Sequence, residues 1–391
     1  MSMNQNLSLL ATTARGFEEL LCQELAGLGA QKTEIVSGGV KCQASFETAM
    51  KLCLWSRLAN KLEVLIGECY AANEEAIYEL GKKLPLSPWF STNSTFCVRT
   101  HVNDKKFTNS VFLSLKVKDG IVDHMRETWG QRASVDTEKP DVVVALQVIQ
   151  RKARVFIELQ GDPLNMRGYR RRQIQAPIRE TLAAAMIALS GWTPDAGLFI
   201  DPMCGSGTFA IEAALIATQT APGIQRHFGF ERLPFFPQYA QAWKNLREEA
   251  RDISKKARKA FQAEICAIDI DDTALDIAQN NAQTAGVSDL IHFSKGNILT
   301  LKPRQATLVT NPPYGERITV NGLEMPEFYY QLGRLLRTFP QSSLTIISTA
   351  ELLKKNMHMK PEKRIATFNG PIACEVAKYT LGQGIPTNNQ R

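Results

Sequence analysis

Apolar residues recur along this chain in two periods, and the periods mark out its elements. Leu7 to Thr12 reads as a strand, and Gly16 to Leu28 as a helix with Phe17, Leu20, Leu21 and Leu25 on one stripe. Gly29 closes that helix. Short strands at Thr33 to Val36 and Gly39 to Gln43 flank the turn Ser37-Gly38-Gly39. Phe46 to Leu54 reads as a helix and Lys61 to Cys69 as a strand. Further on, a helix at Glu74 to Lys82, a strand at Thr95 to His101 and a helix at Ser110 to Thr128 precede a hairpin. Its arms are the β-rich runs Val142 to Ile149 and Arg154 to Leu159. Gly161-Asp162-Pro163 punctuates the end.

The first order, β-α-β-β-α-β, is that of a small ferredoxin-like α+β unit. From Leu164 the pattern changes to alternating strands and helices. Helices are expected at Ile178 to Ser190, Thr208 to Thr220, Thr273 to Ala285 and Glu327 to Thr338. Strands are expected at Leu198 to Ile200, Glu264 to Ile268, Leu290 to Ser294, Thr307 to Thr310 and Leu344 to Ser348. Such alternation means an α/β, Rossmann-like, doubly wound and mostly parallel sheet. Two late strands, Arg364 to Phe368 and Glu375 to Leu381, suggest an antiparallel hairpin at one edge. We therefore expect three domains over residues 1–70, 71–162 and 163–391.

Composition removes several classes. With 391 residues, 44% hydrophobic and 22% charged, the chain is ordinary globular material with mass for two or three cores. The longest apolar stretch that reads as one element, Leu182 to Leu189, falls far below the ~20 residues of a spanning helix. No basic-then-apolar leader is visible over Met1 to Leu10, which points to the cytoplasm. The eight cysteines show no CxxC pair and the five histidines no i, i+4 pair, so neither a disulfide framework nor a metal site is expected.

Charge adds more. The net charge is +7, and Gln150 to Glu180 holds eight basic residues against three acidic ones. Such concentration suits an anionic partner, nucleic acid by default, although a solvated linker has the same composition.

The chemistry concentrates after the strands of the alternating segment, where doubly wound sheets bind ligands. Asp201-Pro202-Met203-Cys204-Gly205-Ser206-Gly207-Thr208 follows the first strand, with two glycines that permit a tight turn and close approach. Alone it suits NAD, another nucleotide or merely a turn, and Ala210 breaks the GxGxxG spacing of dinucleotide sites. Asp269 ends the second strand, where a carboxylate can accept both hydroxyls of a ribose; Asp271 and Asp272 read better as helix caps. Asn311-Pro312-Pro313-Tyr314 ends the fourth strand. Its prolines fix an extended turn that can aim the Asn311 side-chain oxygen and the Pro312 carbonyl at one point, beside the flat face of Tyr314. Two acceptors and a platform suit a planar NH₂ group on an aromatic ring.

These three words together resemble the amino-methyltransferases that use S-adenosylmethionine. Ala176 to Ala185, Asp201 to Ala217 and Asn311 to Arg317 resemble the THUMP-domain group of RNA methyltransferases. Within it, Thr12 to Leu20, Trp55 to Ala59 and Leu164 to Tyr169 are similar to the 23S ribosomal RNA guanine-N2 methyltransferases of the RlmL type. The resemblance covers nearly the whole chain and implies a THUMP RNA-binding module in the middle segment. It also implies S-adenosylmethionine as cofactor, held by Asp201, Pro202, Cys204, Gly205, Gly207, Thr208, Asp269, Ile270 and Asn297, and catalysis by Asn311, Pro312 and Tyr314. Asp201, Gly205 and Gly207 would lie against the methionine part and Asp269 against the ribose. Asn297 stands where the family usually has the Asp that meets the adenine amino group. Some relatives carry a second methyltransferase domain that makes 7-methylguanine; as the chain ends at Arg391, that activity is expected to be absent.

Arg167, Arg170, Arg171 and Arg172 are expected to meet RNA phosphates. The insertion Pro222 to Lys259, with Arg226, His227, Phe228, Phe230, Phe235, Phe236 and Trp243, fits either an RNA contact or a packed lid. The expected substrate is 23S ribosomal RNA or a ribosome precursor. A transfer-RNA guanine-N2 enzyme, a DNA adenine-N6 methyltransferase and a non-catalytic RNA-binding factor are the alternatives.

Overall fold

The computed structural model describes residues 6–170, 178–314, 319–320 and 322–382. The chain forms two compact units. One comprises residues 1–13, 21–164 and 225–249, the other residues 14–20, 165–224 and 250–391.

The first unit is built on one eight-stranded sheet. Its strands are β1 (Leu7–Thr12), β2 (Gln31–Val36), β3 (Gly39–Ala44), β4 (Lys61–Tyr70), β5 (Thr95–Asn103), β6 (Ser134–Val135), β7 (Val142–Ile149) and β8 (Lys152–Glu158), in the spatial order β2-β3-β1-β4-β8-β7-β5-β6. The helices are α1 (Glu18–Gly27), α2 (Phe46–Trp55), α3 (Glu74–Lys82) and α4 (Ser110–Trp129). Polar caps set the helix starts. Ser45, Asn73 and Asn109 each accept a backbone N–H from the residue three positions on, Thr48, Ala76 and Phe112. The order β2-β3-β1-β4 is the ferredoxin-like half. β4 then pairs with β8 from Glu63↔Glu158 to Tyr70↔Lys152, so the sheet runs on without a break past residue 70. β4 is ten residues long and carries β1 on one edge over Lys61 to Val64 and β8 on the other over Glu63 to Tyr70. The Trp55-to-Ala59 word is explained here. Glu24 on α1 accepts from Ser56 Oγ at 2.5 Å, the Arg57 N–H at 2.8 Å and the Leu58 N–H at 3.3 Å, tying the end of α2 to α1.

The insertion joins this unit through its residues 225–249. Phe228 and Phe230 are fully buried, and Phe46 of α2 packs edge-on against Phe230 and Phe235 at 6.0 and 4.8 Å. Trp243 meets Phe228 and Phe230, and Phe235 meets Trp89. Arg226 is also buried, donating to the carbonyls of Asp162 and Pro163 at 2.5 and 2.9 Å. Of the two readings of the insertion, packing holds for these residues.

The second unit is the doubly wound one. Its strands are β9 (Phe199–Asp201), β10 (Ile265–Asp269), β11 (His292–Lys295), β12 (Thr307–Thr310), β15 (Ser342–Ser348), β16 (Lys363–Asn369) and β17 (Ile372–Leu381), with a separate short pair, β13 (Thr319–Val320) and β14 (Leu323–Glu324). The order is β11-β10-β9-β12-β15-β17-β16, parallel from β11 to β15 and antiparallel at β17 and β16. The helices are α5 (Glu180–Ser190), α6 (Thr208–Ala217), the second half of α7 (Ala240–Lys259), whose first half belongs to the first unit, α8 (Asp272–Ala285), α9 (Met325–Leu336) and α10 (Ala350–Lys355). α5 and α6 are apolar all round and almost wholly buried, whereas α9 buries one stripe, Phe328, Tyr329, Leu332 and Leu336. That stripe packs with Leu344, Ile346 and Tyr379 of the sheet. No helix among the described residues is long and apolar enough to cross a membrane.

Candidate functional site

Because β10, β9 and β12 are parallel neighbours, the loops that leave them emerge side by side, at the point where the strand order reverses. These loops carry Asp201 to Thr208, Asp269 to Asp271, and Asn311 to Tyr314. Backbone bonds lace the first two together. The Gly205 N–H donates to Asp269 Oδ2 at 2.8 Å, and the Cys204 N–H to the Ile268 carbonyl at 2.9 Å. The Gly296 N–H donates to the Asp269 carbonyl at 2.9 Å, adding the loop with Asn297.

Gly207 has φ +80°, and a Cβ there would lie 2.9 Å from the Ala278 Cβ on α8. Both facts require glycine: the backbone is left-handed and the helix approaches too closely for a side chain. Asn281, also on α8, donates to the Ser206 carbonyl at 3.1 Å from a buried position. Cys204 and Thr208 are buried, Pro202 is buried beside them, and Ile270 is 47% exposed. Burial pushes the Cys204 thiol well up, so it is inert as a nucleophile.

The two carboxylates differ. Asp269 is half-buried and already accepts two backbone N–H groups, from Gly205 and, at 3.1 Å, from Asp271. Each oxygen keeps a second lone pair for a hydroxyl. Asp201 is fully buried, and neither of its oxygens has a hydrogen-bond partner. Burial first, and then the charge of Asp269, push its carboxyl far above the ordinary range. A cation placed against Asp201 would relieve that cost. Asn297 is half-buried at the start of a short turn, where its Oδ1 accepts the Leu299 N–H at 3.0 Å.

At the third loop, Asn311 Oδ1 is buried and has no partner. An amide oxygen held out of water without a donor is a ready acceptor. Pro312 is buried and Tyr314 half-buried. Three residues that the sequence reading did not single out hold this turn. Tyr329 on α9 donates weakly to the Pro313 carbonyl at 3.4 Å and bonds Ser348 Oγ of β15 at 2.7 Å. Asn369, the last residue of β16, donates to the Tyr314 hydroxyl at 2.7 Å. Burial raises both the Tyr314 and Tyr329 phenols, so both stay neutral. Two of them carry sequence signals of another kind: Tyr329 sits at helical spacing, which speaks of packing, and Asn369 precedes Gly370-Pro371, which speaks of a turn.

The expected phosphate contacts at Arg167 and Arg170 are corrected. Arg167 is 3% exposed and faces Glu212 at 3.6 Å. Tyr169 donates to the same Glu212 carboxylate at 3.0 Å. Arg170 pairs with Glu180 at 3.2 Å and donates to the Ile178 carbonyl and Thr208 Oγ1. These guanidiniums neutralise buried carboxylates and brace the start of α6, leaving no free face for a phosphate. Arg171 and Arg172 lie outside the described residues. Among the described residues no group of three His, Cys, Asp or Glu side chains is placed to hold a metal ion.

Comparison with known proteins adds the family. The family model of an RMKL-like methyltransferase domain matches residues 167–378, which include all three loops. The chain belongs to the RMKL-like methyltransferase family. Residues 71–158 match a THUMP domain and residues 8–62 an RlmL ferredoxin-like domain. The chain is 34% identical over 388 residues to the ribosomal RNA large subunit methyltransferase K/L of Photobacterium profundum. That alignment takes in 98% of this chain and 54% of the other, so the chain spans about half the length of this curated relative. Among solved structures, SMU.472 complexed with SAH has 28% identity and a TM-score of 0.86, covering 98% of this chain and 100% of that one. A predicted N6-adenine-specific DNA methylase from Listeria monocytogenes str. 4b F2365 has 28% identity and a TM-score of 0.84, covering 96% of each chain. TrmN from Thermus thermophilus, at 21% identity and a TM-score of 0.69, shares the fold.

Proposed function

We propose that the protein transfers a methyl group from S-adenosylmethionine to the exocyclic N2 of a guanine in 23S ribosomal RNA. The observation that carries this reading is the buried, unpartnered Asn311 Oδ1 at the carboxyl end of β12, beside the loops of β9 and β10. The cofactor supplies, when bound, a positively charged sulfonium whose methyl is already activated.

The residues present fit that cofactor. Asp201 offers a buried carboxylate that lacks a counter-charge, suited to the cationic methionine part, with Pro202, Cys204, Gly205, Gly207 and Thr208 forming the turn around it. Asp269 accepts the ribose hydroxyls next to Ile270, and Asn297 accepts the adenine amino group through the remaining lone pair of Oδ1.

On the substrate side, the guanine amino nitrogen is a poor nucleophile because its lone pair is delocalised into the ring. Accepting its N–H bonds at Asn311 Oδ1 and the Pro312 carbonyl favours a more pyramidal nitrogen. It also stabilises positive charge developing there. Tyr314, fixed by Asn369, gives the base a face to stack on, which offsets part of the cost of unstacking it from the RNA. The THUMP match at residues 71–158 supports RNA over DNA as the substrate, and a ribosome precursor suits it as well as free RNA.

The test uses labelled S-adenosylmethionine with 23S RNA from a strain lacking the protein. Transfer RNA and duplex DNA run in parallel, and the labelled nucleosides are identified. N2-methylguanosine in 23S RNA is the expected product. N6-methyladenine in DNA would overturn the reading, and label confined to transfer RNA would move the target.

A further inference from the structure

The reaction leaves one cluster of the first unit without a task. At one end of its sheet, β4, β8, β7 and β5 terminate together, with Tyr70 opposite Lys152 and Asn103 opposite Ile149. Tyr70 is 68% exposed, far more than an aromatic ring needs to be for packing. The Arg151 guanidinium lies over it at 5.4 Å and over the Phe107 ring at 5.7 Å.

Arg151 is held there at a conformational cost. It sits with Gln150 in the two-residue turn between β7 and β8, at φ +64° and +49°, where Asn-Gly is the favoured pair. Its backbone N–H donates to Asp104 Oδ2 at 2.6 Å, and its guanidinium to the carbonyls of Ala71 and Ala72, both at 2.8 Å. Lys106 Nζ donates to the same Ala72 carbonyl at 2.6 Å. Lys152 stands opposite Tyr70 in the β4–β8 pairing, Lys106 lies over Phe107, and Lys105, Lys106 and Lys152 are all exposed. The nearby acids are engaged: Asp104 accepts backbone N–H groups, and Glu68 pairs with Lys152 and Arg154.

We propose that this end of the sheet binds an unpaired stretch of RNA, with one base stacked on the open face of Tyr70 and the flanking phosphates beside Arg151, Lys105 and Lys106. A fixed aromatic face among cations is the combination that single strands require, since every base has a π-face and every linkage a negative charge. An acidic peptide would use the cations and leave the ring idle. The proposal deepens the reading of this protein as an RNA methyltransferase and rests on it for the choice of RNA.

The experiment measures binding of a fluorescent, unstructured oligoribonucleotide to the full chain by anisotropy, with an RNA duplex as competitor, and follows thermal unfolding in parallel. Tyr70→Ala should weaken single-strand binding about tenfold. Tyr70→Phe should bind as the parent does, and neither variant should change the unfolding temperature, because the ring is exposed. Equal binding by Tyr70→Ala and the parent overturns the proposal, as does an equal loss in Tyr70→Phe. A parent that methylates 23S RNA while Tyr70→Ala binds normally removes this site and leaves the reaction standing. A parent that binds single strands through Tyr70 but methylates no RNA does the reverse.

Discussion

The glycine loop after β9 and the Asn-Pro-Pro-Tyr turn after β12 sit side by side yet are held by different means. The glycine loop is held through its own backbone atoms: the Gly205 amide donates to the Asp269 carboxylate, the Cys204 amide to the Ile268 carbonyl, the Ser206 carbonyl accepts from Asn281, and Gly207 lies against Ala278 with no room for a side chain. The turn is fixed by side chains that arrive from distant elements, Tyr329 on α9, Ser348 at the end of β15 and Asn369 at the end of β16. The difference separates two demands. A loop that must approach a cofactor closely removes its own side chains. A turn that must leave one acceptor bare, Asn311 Oδ1, saturates its neighbours instead.

Four substitutions break or sharpen that contrast. The largest effect is expected for Asn311→Ala, which removes the bare acceptor; methyl transfer should fall by roughly 10²–10³-fold, with cofactor affinity measured by calorimetry unchanged. Gly207→Ala attacks the other loop. The left-handed backbone and the Ala278 contact should cost about 1–3 kcal/mol in denaturant unfolding, and cofactor binding should weaken with it. Asn369→Ala and Tyr329→Phe each loosen the turn without touching the acceptor. Each should lower kcat about threefold to tenfold at unchanged cofactor KM, the worth of one hydrogen bond. If either raised the cofactor KM instead, the division of labour would be wrong.

The smallest effect concerns Asp201 and pH. Its folded carboxyl titrates well above the ordinary range, so the folded state retains a proton that the unfolded chain releases. Stability without cofactor therefore falls as pH rises from the unfolded carboxylate range toward the raised folded value. Asp201→Asn should remove that part of the slope, read as a flatter melting temperature as pH rises from about 4, while weakening cofactor binding. An unchanged slope would show that Asp201 is not the group that titrates.

Much of the fold was legible because local pattern and tertiary role agree. β12 (Thr307–Thr310) and α3 (Glu74–Lys82) fall where apolar spacing and caps put them. α7 is missing from the expected elements although Trp243, Leu246, Ala250 and Ile253 repeat at helical spacing; its stretch belongs to the insertion that fits either an RNA contact or a packed lid. The aromatics before it form core around Phe46, a contact that spans most of the first unit's sequence and that no local window holds. Asn369 was illegible for the same reason. Between two strands, an Asn before Gly-Pro reads as turn chemistry, and only the pairing of β16 with β17 and their place in the sheet bring it to Tyr314.

The basic stretch teaches this most plainly. The sequence records that Arg151, Arg167 and Arg170 are charged, and nothing more. In the folded chain, Arg167 and Arg170 meet Glu212 and Glu180 inside a domain, while Arg151 lies between two rings at an exposed sheet end. By itself, then, the sequence determined what rests on neighbouring residues: element types, the glycine loop, the Asp269 strand end and the rigid Asn311 turn. The tertiary structure alone decided which charges are solvated, which acceptors are left bare and which hydroxyls hold them. Burial and pairing depend on residues far apart in sequence, and only folding brings those together.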